Sequence, residues 1–302
     1  MKKLFQITVP ASTANVGPGF DSIGIALNRY LTIEVYDHNQ YSCEGFSEYL
    51  KDIPLDQTNL ILKTAIDVAK ANHKSLPTCH LKLESNIPLT RGLGSSASAI
   101  VGGIILANEL CNLQLSLEEQ LRIATAIEGH MDNVGASLYG GLVIGTFIDG
   151  KAYIQHSTLN KVSVVAIIPK YELETVHARN ILPSTIPYKD AIQSSSYSNL
   201  LVLALLKENW ALAGDMMKRD LFHEPYRCKI VKELDTLKQI ELPEYVHGFV
   251  LSGAGPTVLA FVSIEGCTEA IDYFTRLFPN CDVSEIKIEN KGATVKHSIH
   301  SS

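Results

Sequence analysis

A chain of 302 residues is longer than one ordinary domain, so two units are expected. A hydrophobic share of 46% beside 19% charged residues is that of a globular protein, and a net charge of −6 argues against a nucleic-acid partner. No apolar run reaches the ~18 residues of a membrane span, so no membrane helix is expected.

Met1-Lys2-Lys3 could open a signal peptide, but the apolar run ends at Gln6 and no cleavage pattern follows. Phe5, Ile7 and Val9 alternate into Pro10, which predicts a strand, and 10–22 is a loop dense in turn formers. Residues 23–36 are β-rich, with Leu31, Ile33 and Val35 on one face. A helix is predicted over 58–71 from Leu62, Ala65, Ile66 and Ala69. Residues 80–84 alternate as a strand leading into Pro88-Leu89-Thr90-Arg91-Gly92-Leu93-Gly94-Ser95-Ser96-Ala97-Ser98, after which Ile100, Val101, Ile104, Ile105 and Leu106 keep helical spacing. Ser116 and Glu119 make a capping box for a helix over 117–128, a helix or turn covers 134–139, and Gly140-Gly141 turns into a strand over 142–147.

Beyond the turn at Asp149-Gly150, strands over 162–168, 249–251, 258–262 and 283–288 alternate with helices near 190–206, 225–238 and 267–277. That is the pattern of a sheet with helices on one face. The boundary falls near 150–160, dividing 1–155 from 156–302, and the polar tail 296–302 is expected to fray. The six cysteines (Cys43, Cys79, Cys111, Cys228, Cys267, Cys281) form no Cys-x-x-Cys pair and read as reduced packing residues of a cytoplasmic protein.

The segment 88–98 carries the most chemistry. Gly92 and Gly94 let bare backbone approach a ligand, and the helix that follows offers unpaired N–H groups and a positive dipole end to an anion. Ser95 and Ser96 add hydroxyls suited to phosphate oxygens or magnesium. The segment lacks the lysine of the Walker loop and the third glycine of the dinucleotide fingerprint. It reads as a phosphate cradle for a nucleotide, or as a small-residue helix start packed closely on a sheet.

Three other places share this chemistry. Asn15 and Asp21, six residues apart, either grip a small polar ligand or bond their own backbone as turn residues. Glu128 closes a helix where the dipole disfavours a carboxylate, which a bound magnesium ion would offset. Asp132 and Asn133 follow it as ligand contacts or as a cap, and His130 reads as a packed or solvent-bonded histidine. Ser252-Gly-Ala-Gly-Pro-Thr257 is a glycine-rich turn between two strands, either a tight hairpin or part of the same site.

Pro10-Ala-Ser-Thr-Ala-Asn15, the loop at 88–97 and Ser252-Gly-Ala-Gly-Pro-Thr257 resemble, in that order, the three motifs of the GHMP family of small-molecule kinases. Asn15-Val-Gly-Pro-Gly-Phe-Asp21, Glu128-Gly-His-Met-Asp-Asn133, Thr175-Val-His-Ala-Arg179 and His223-Glu-Pro-Tyr-Arg227 are most similar to the members that phosphorylate homoserine in threonine biosynthesis. Met131 stands where those members often carry proline.

The resemblance implies an α+β, two-domain GHMP-kinase fold. Residues 1–155 would form an N-terminal α/β nucleotide-binding domain and 156–302 a ferredoxin-like α+β domain. It implies ATP along Pro88, Leu89, Thr90, Arg91, Gly92, Leu93, Gly94, Ser95, Ser96, Ala97 and Ser98, with Asn59 on the purine side and Arg91 and Lys82 as nearby cations. Ser96 and Glu128 would hold Mg2+, and Gly253 and Gly255 would support the loop. L-homoserine would place its amino group near Asp21 and Asp132, its carboxylate on Arg179 and Arg227 beside Thr175, and its hydroxyl on Asn15 and Asn133. Asn133, Glu128 and Ser96 are thus the implied catalytic residues. Other implied readings are a kinase for another carboxylate-bearing alcohol, such as mevalonate, and a non-catalytic metabolite sensor. The arginine pair argues against a sugar, and the aspartate pair favours an ammonium that mevalonate lacks. The family includes dimers, so a homodimer is the expected assembly.

Overall fold

A computed structural model describes residues 1–298 of the protein. β1 (Lys3–Ala14) and β2 (Ile23–Asp37) form a long antiparallel pair. β3 (Ser42–Gly45), α1 (Leu60–Ala71), β4 (Cys79–Ser85), α2 (Ser95–Cys111), α3 (Leu117–Glu128), α4 (Asp132–Tyr139), β5 (Leu142–Ile148) and β6 (Lys151–Ser157) follow. The far half of β2 pairs with β4, while its first residues, Ile23 to Ile25, pair with β5. Alternation in β1 buries Phe5, Ile7 and Val9 and leaves Gln6 and Thr8 half-buried. α2 is apolar on nearly every side because it runs through the core, with Ile100, Val101, Ile104 and Leu106 almost fully buried.

β1 is longer than its alternating segment. Pro10 to Ala14, expected to be loop, continue the strand after a register shift at Pro10 and Ala11. Ala11, Ser12, Thr13 and Ala14 are all buried, so their small size serves close packing rather than turning.

The chain continues through β7 (Ser163–Pro169), α5 (Thr175–Asn180), α6 (Tyr188–Leu206), α7 (Trp210–Met217), α8 (Glu224–Arg227), α9 (Lys232–Gln239), β8 (Val246–Leu251), β9 (Val258–Val262), α10 (Cys267–Leu277) and β10 (Cys281–Ile286). β7 to β10 form an antiparallel sheet in the order β10-β7-β9-β8, which is a ferredoxin-like arrangement. Helices cover both faces of this sheet, not the one face expected. Val165 and Ile167 pack with Leu234 of α9 and Phe274 of α10, while Val164, Ala166 and Ile168 join the core that holds Leu201 and Leu205 of α6 and Met217 of α7. The unbroken apolar run of β7 carries that burial in its composition.

Two other expectations are corrected. The single helix at 225–238 is two helices, because Val231 takes an extended conformation and buries itself in the second core. The tail does not fray from 296 onward: β11 (Thr294–His297) pairs antiparallel with β1, which ties the last described strand into the first sheet. That pairing also sets β11 apart from the 156–302 unit, and β6 reaches two residues past 155. The rest of the tail, 299–302, lies outside the described residues.

Candidate active site

The loop between β4 and α2 needs its glycines. Gly92 has φ +76° and Gly94 φ +71°. A Cβ on Gly92 would lie 2.2 Å from the Ser252 carbonyl oxygen, and one on Gly94 2.3 Å from Ser12 Oγ. Backbone bonds hold the loop from two sides, Ser12 N–H to Leu93 O (3.2 Å) and Thr257 N–H to Arg91 O (3.3 Å). Ser252 Oγ donates to Gly92 O at 2.6 Å. The small residues of β1 and the Ser252 turn are therefore the walls against which the loop is folded. Gly94 caps α2, whose first turn holds no acidic residue, so the dipole end stays free for an anion.

Two cavities meet at this loop. A polar one of about 130 Å³ is lined by Asn15, Phe20, Asp21, Glu128, His130, Asp132, Asn133, Thr175, Arg179, Arg227 and Gly253. An apolar one of about 270 Å³ is lined by Leu31, Leu50, Ile53, Pro54, Asn59, Leu83, Leu89 and Ala99. Thr90, Ser95 and Ser96 border both.

Glu128, the last residue of α3, accepts a hydrogen bond from Ser96 Oγ at 3.1 Å. Burial raises its pKa above the ordinary carboxylate value, and the nearby Asp132 adds to the rise. This hydroxyl and carboxylate are hard oxygen donors beside a phosphate-sized opening, a donor set that fits Mg2+. His130 Nδ1 lies 2.6 Å from Asp132 Oδ1. Burial alone would lower this imidazole, but Asp132, Asp21 and Glu128 outweigh it and the net shift is upward. His130 thus faces the cavity with its charge favoured, instead of merely packing.

Asn133 is oriented by a hydroxyl chain. Ser137 Oγ donates to Ser12 Oγ (3.1 Å), which donates to Asn133 Oδ1 (3.0 Å). Among the described residues its Nδ2 group has no partner, so both of its N–H bonds can be offered to a ligand.

Asp21 and Arg179, 158 residues apart, form a two-pronged ion pair at 2.9 and 3.0 Å. The pair is partly exposed, and it raises the Arg179 pKa. Arg227 is 2% exposed. Its Nε donates to Ala178 O (3.1 Å) and its Nη1 to Gly253 O (2.9 Å) and toward His223 Nδ1 (3.2 Å). Burial, with the charge of Arg179, pushes its pKa down to about 10, so it stays a cation at neutral pH. Nη2 has no partner among the described residues and can be offered to an anion.

Some expected contacts fall elsewhere. Asn15 is committed at both ends, its Oδ1 accepting from Asp21 N–H (3.0 Å) and its Nδ2 donating to Gly253 O (3.1 Å), so it braces the site. Arg91 turns away from the phosphate opening and ties the loop to the end of β7 through Pro169 O (3.1 Å) and Lys170 O (2.6 Å). Lys82 lies elsewhere on the sheet, paired with Glu44 at 3.2 Å, away from both cavities. Asn59 caps α1 and accepts from Ile61 N–H at 3.0 Å, on the apolar cavity's wall. Pro88, Leu93 and Ala97 are buried behind the loop, whereas Ser98, also buried, lines the apolar cavity. Gly253 reaches the polar cavity, whereas Gly255 (φ +90°) shapes the turn behind it. Sequence reasoning missed Phe20, Ser12, His223 and Thr13, whose Oγ1 lies 2.8 Å from Ser252 Oγ, as parts of the site. All four sit inside quoted motifs, and the four-residue spacing of His223 and Arg227 permits their contact, but nothing local shows that the Phe20 ring meets an arginine.

Comparison with known proteins decides the family. A model of the GHMP kinases N terminal domain matches residues 59–141, and one of the GHMP kinases C terminal matches 201–272. The chain belongs to the GHMP kinases. It is 44% identical over 295 residues to a homoserine kinase of Bacillus velezensis, covering 98% of this chain and 96% of that protein. Identity is 46% over 293 residues to a homoserine kinase of Halalkalibacterium halodurans, covering 96% and 94%. A crystal structure of homoserine kinase from Cytophaga hutchinsonii superposes with a TM-score of 0.84 at 26% identity, covering 98% of each chain. This GHMP kinase is therefore an ATP-using phosphotransferase of α+β, two-domain fold. Among the described residues no helix is long and apolar enough to cross a membrane.

Proposed function

We infer that this kinase transfers the γ-phosphoryl group of ATP to the side-chain hydroxyl of L-homoserine, giving O-phospho-L-homoserine and ADP for threonine biosynthesis. One observation carries the reading. The Gly92–Ser96 loop stands between an apolar cavity and a polar one whose two arginines and two aspartates match the two charges of an α-amino acid.

The purine would occupy the apolar cavity beside Asn59, and the triphosphate would lie on the amides that open α2. Ser96 Oγ and Glu128 would hold Mg2+, which offsets phosphate charge in a loop that has no lysine. The homoserine ammonium faces Asp21 and Asp132, and its carboxylate faces Arg227 Nη2 and Arg179. A zwitterion can replace both halves of the Asp21–Arg179 pair at once, so no charge is stranded. A mevalonate-type alcohol would leave Asp21 without a cation.

The hydroxyl then meets Asn133 Nδ2. An amide N–H positions the oxygen but cannot take its proton, which leaves to a phosphate oxygen or to water. Rate enhancement rests on alignment and on charge stabilisation at the transferred group, as a loose transition state allows. The six free cysteines fit a cytoplasmic enzyme. A coupled ADP-release assay with homoserine, mevalonate and galactose tests the reading. Turnover with homoserine well above the other two supports it; a preference for either of the others, or no turnover with homoserine, overturns it.

A further inference from the structure

Phe20 directly precedes Asp21 on the loop between β1 and β2, and its ring lines the polar cavity. The guanidinium carbons of Arg179 and Arg227 each lie 5.6 Å from the centroid of that one ring. The imidazole of His223 stacks on it at 5.3 Å with the planes 25° apart. His223 also holds Arg227 through Nδ1, and its Nε2 lies 3.1 Å from Gly17 O on the Phe20 loop. One aromatic side chain thus touches both cations of the site and the histidine that orients one of them.

Two guanidiniums gathered at one cavity repel each other. Among the described residues only Arg179 of the two has a carboxylate partner; the bonded partners of Arg227 are two carbonyls and a histidine. An acidic side chain between them would hold both, but it would also satisfy the donors a ligand carboxylate needs. A phenyl ring does the first without the second. Its faces carry negative potential that attracts guanidinium, and it offers no lone pair to compete with an incoming carboxylate. An aliphatic residue would fill the space without the attraction.

We propose that Phe20 is a specificity-determining positioning residue, an aromatic bracket that keeps Arg179 and Arg227 gathered, charged and open for the carboxylate of the substrate. Recognition of both ends of an amino acid would then be organised by two consecutive residues, Phe20 acting through the arginines and Asp21 on the ammonium. This rests on the amino-acid substrate inferred above.

The test compares the parent with Phe20→Leu, Phe20→Met and Phe20→Tyr. Each is assayed with homoserine and with the analogue whose carboxylate is reduced to CH2OH. The decisive quantity is the ratio of kcat/KM for the two substrates, which does not depend on how much of a preparation is folded. Weakened cation–π contact to two partly dry guanidiniums should lower that ratio about tenfold in the Leu and Met variants. The loss should appear in KM for homoserine, with kcat and the KM for ATP within about twofold of the parent and with Phe20→Tyr restoring the ratio. An unchanged ratio in both aliphatic variants overturns the proposal. So does a fall in activity shared equally by the two substrates, which marks a merely structural ring. Failure of the parent itself to turn over homoserine overturns the substrate reading instead, and is seen before any variant is made.

Discussion

Arg227→Leu separates binding from stability in a way the geometry makes quantitative. The side chain is 2% exposed, and two of its three donating nitrogens are spent on the protein. Its removal leaves Gly253 O with the Asn15 Nδ2 donor, but it takes from Ala178 O its side-chain donor. One orphaned buried carbonyl costs ~1–3 kcal/mol of stability, part of which is returned by no longer burying a cation. The catalytic loss is separate. A substrate carboxylate deprived of one charge-assisted partner in a partly dry cavity loses ~2–4 kcal/mol in kcat/KM, about 30- to 1000-fold. Urea unfolding reads the first effect and a coupled ADP-release assay the second, with ATP affinity by calorimetry as the control. ATP affinity should hold, and homoserine amide should be hurt less than homoserine. A folded variant with unaltered homoserine kinetics would refute the placement of the carboxylate.

Three further outcomes follow from the site. Glu128→Gln should raise the magnesium requirement and cut the rate on the order of 10²-fold, and Ser96→Ala should act in the same direction while calorimetric binding of homoserine is kept; ordinary activity at ordinary magnesium would make Glu128 a helix-end residue only. Gly92→Ala places a Cβ 2.2 Å from a backbone oxygen at φ +76°, so ATP affinity should fall at least ~10-fold, and an ATP titration showing no change would contradict the loop geometry. His130 has a raised pKa in the folded chain, so its pairing with Asp132 is fully stabilising below its ordinary value of 6.5 and is lost as pH rises through the higher folded value. Urea unfolding across that range should show a stability decline that His130→Gln removes; identical profiles would rule the pairing out.

Features set by neighbours in sequence were legible. The strand of Phe5, Ile7 and Val9 follows from period-two alternation, and the helix start at Ser116 from its capping box, which the structure contains in full. The helix expected near 267–277 is α10, whose buried face carries Cys267, Ala270 and Phe274. Gly92, Gly94 and Ser96 could be singled out because a tight loop before a helix has a local signature.

What stayed hidden depends on contacts distant in sequence. Pro10 to Ala14 look like turn residues until the loop and the Ser252 turn are packed against them. β11 is a polar tail until β1 supplies its hydrogen bonds. Arg91 and Lys82 are equivalent cations near a phosphate loop in the sequence, and only folding shows one bound to the end of β7 and the other to Glu44. The pairing of Asp21 with Arg179 spans 158 residues. No local pattern could have shown that one ring lies against two arginines.

In the proposed reading both charged ends of the amino acid are held by the aspartates and arginines, so that only the hydroxyl meets the phosphate loop. Phosphorus NMR of the product formed from homoserine and ATP tests this directly. The expected product is a phosphate monoester whose signal is split into a triplet by the two protons of the side-chain carbon bearing the oxygen. A phosphoramidate, an acyl phosphate, or inorganic phosphate with homoserine unchanged would contradict it.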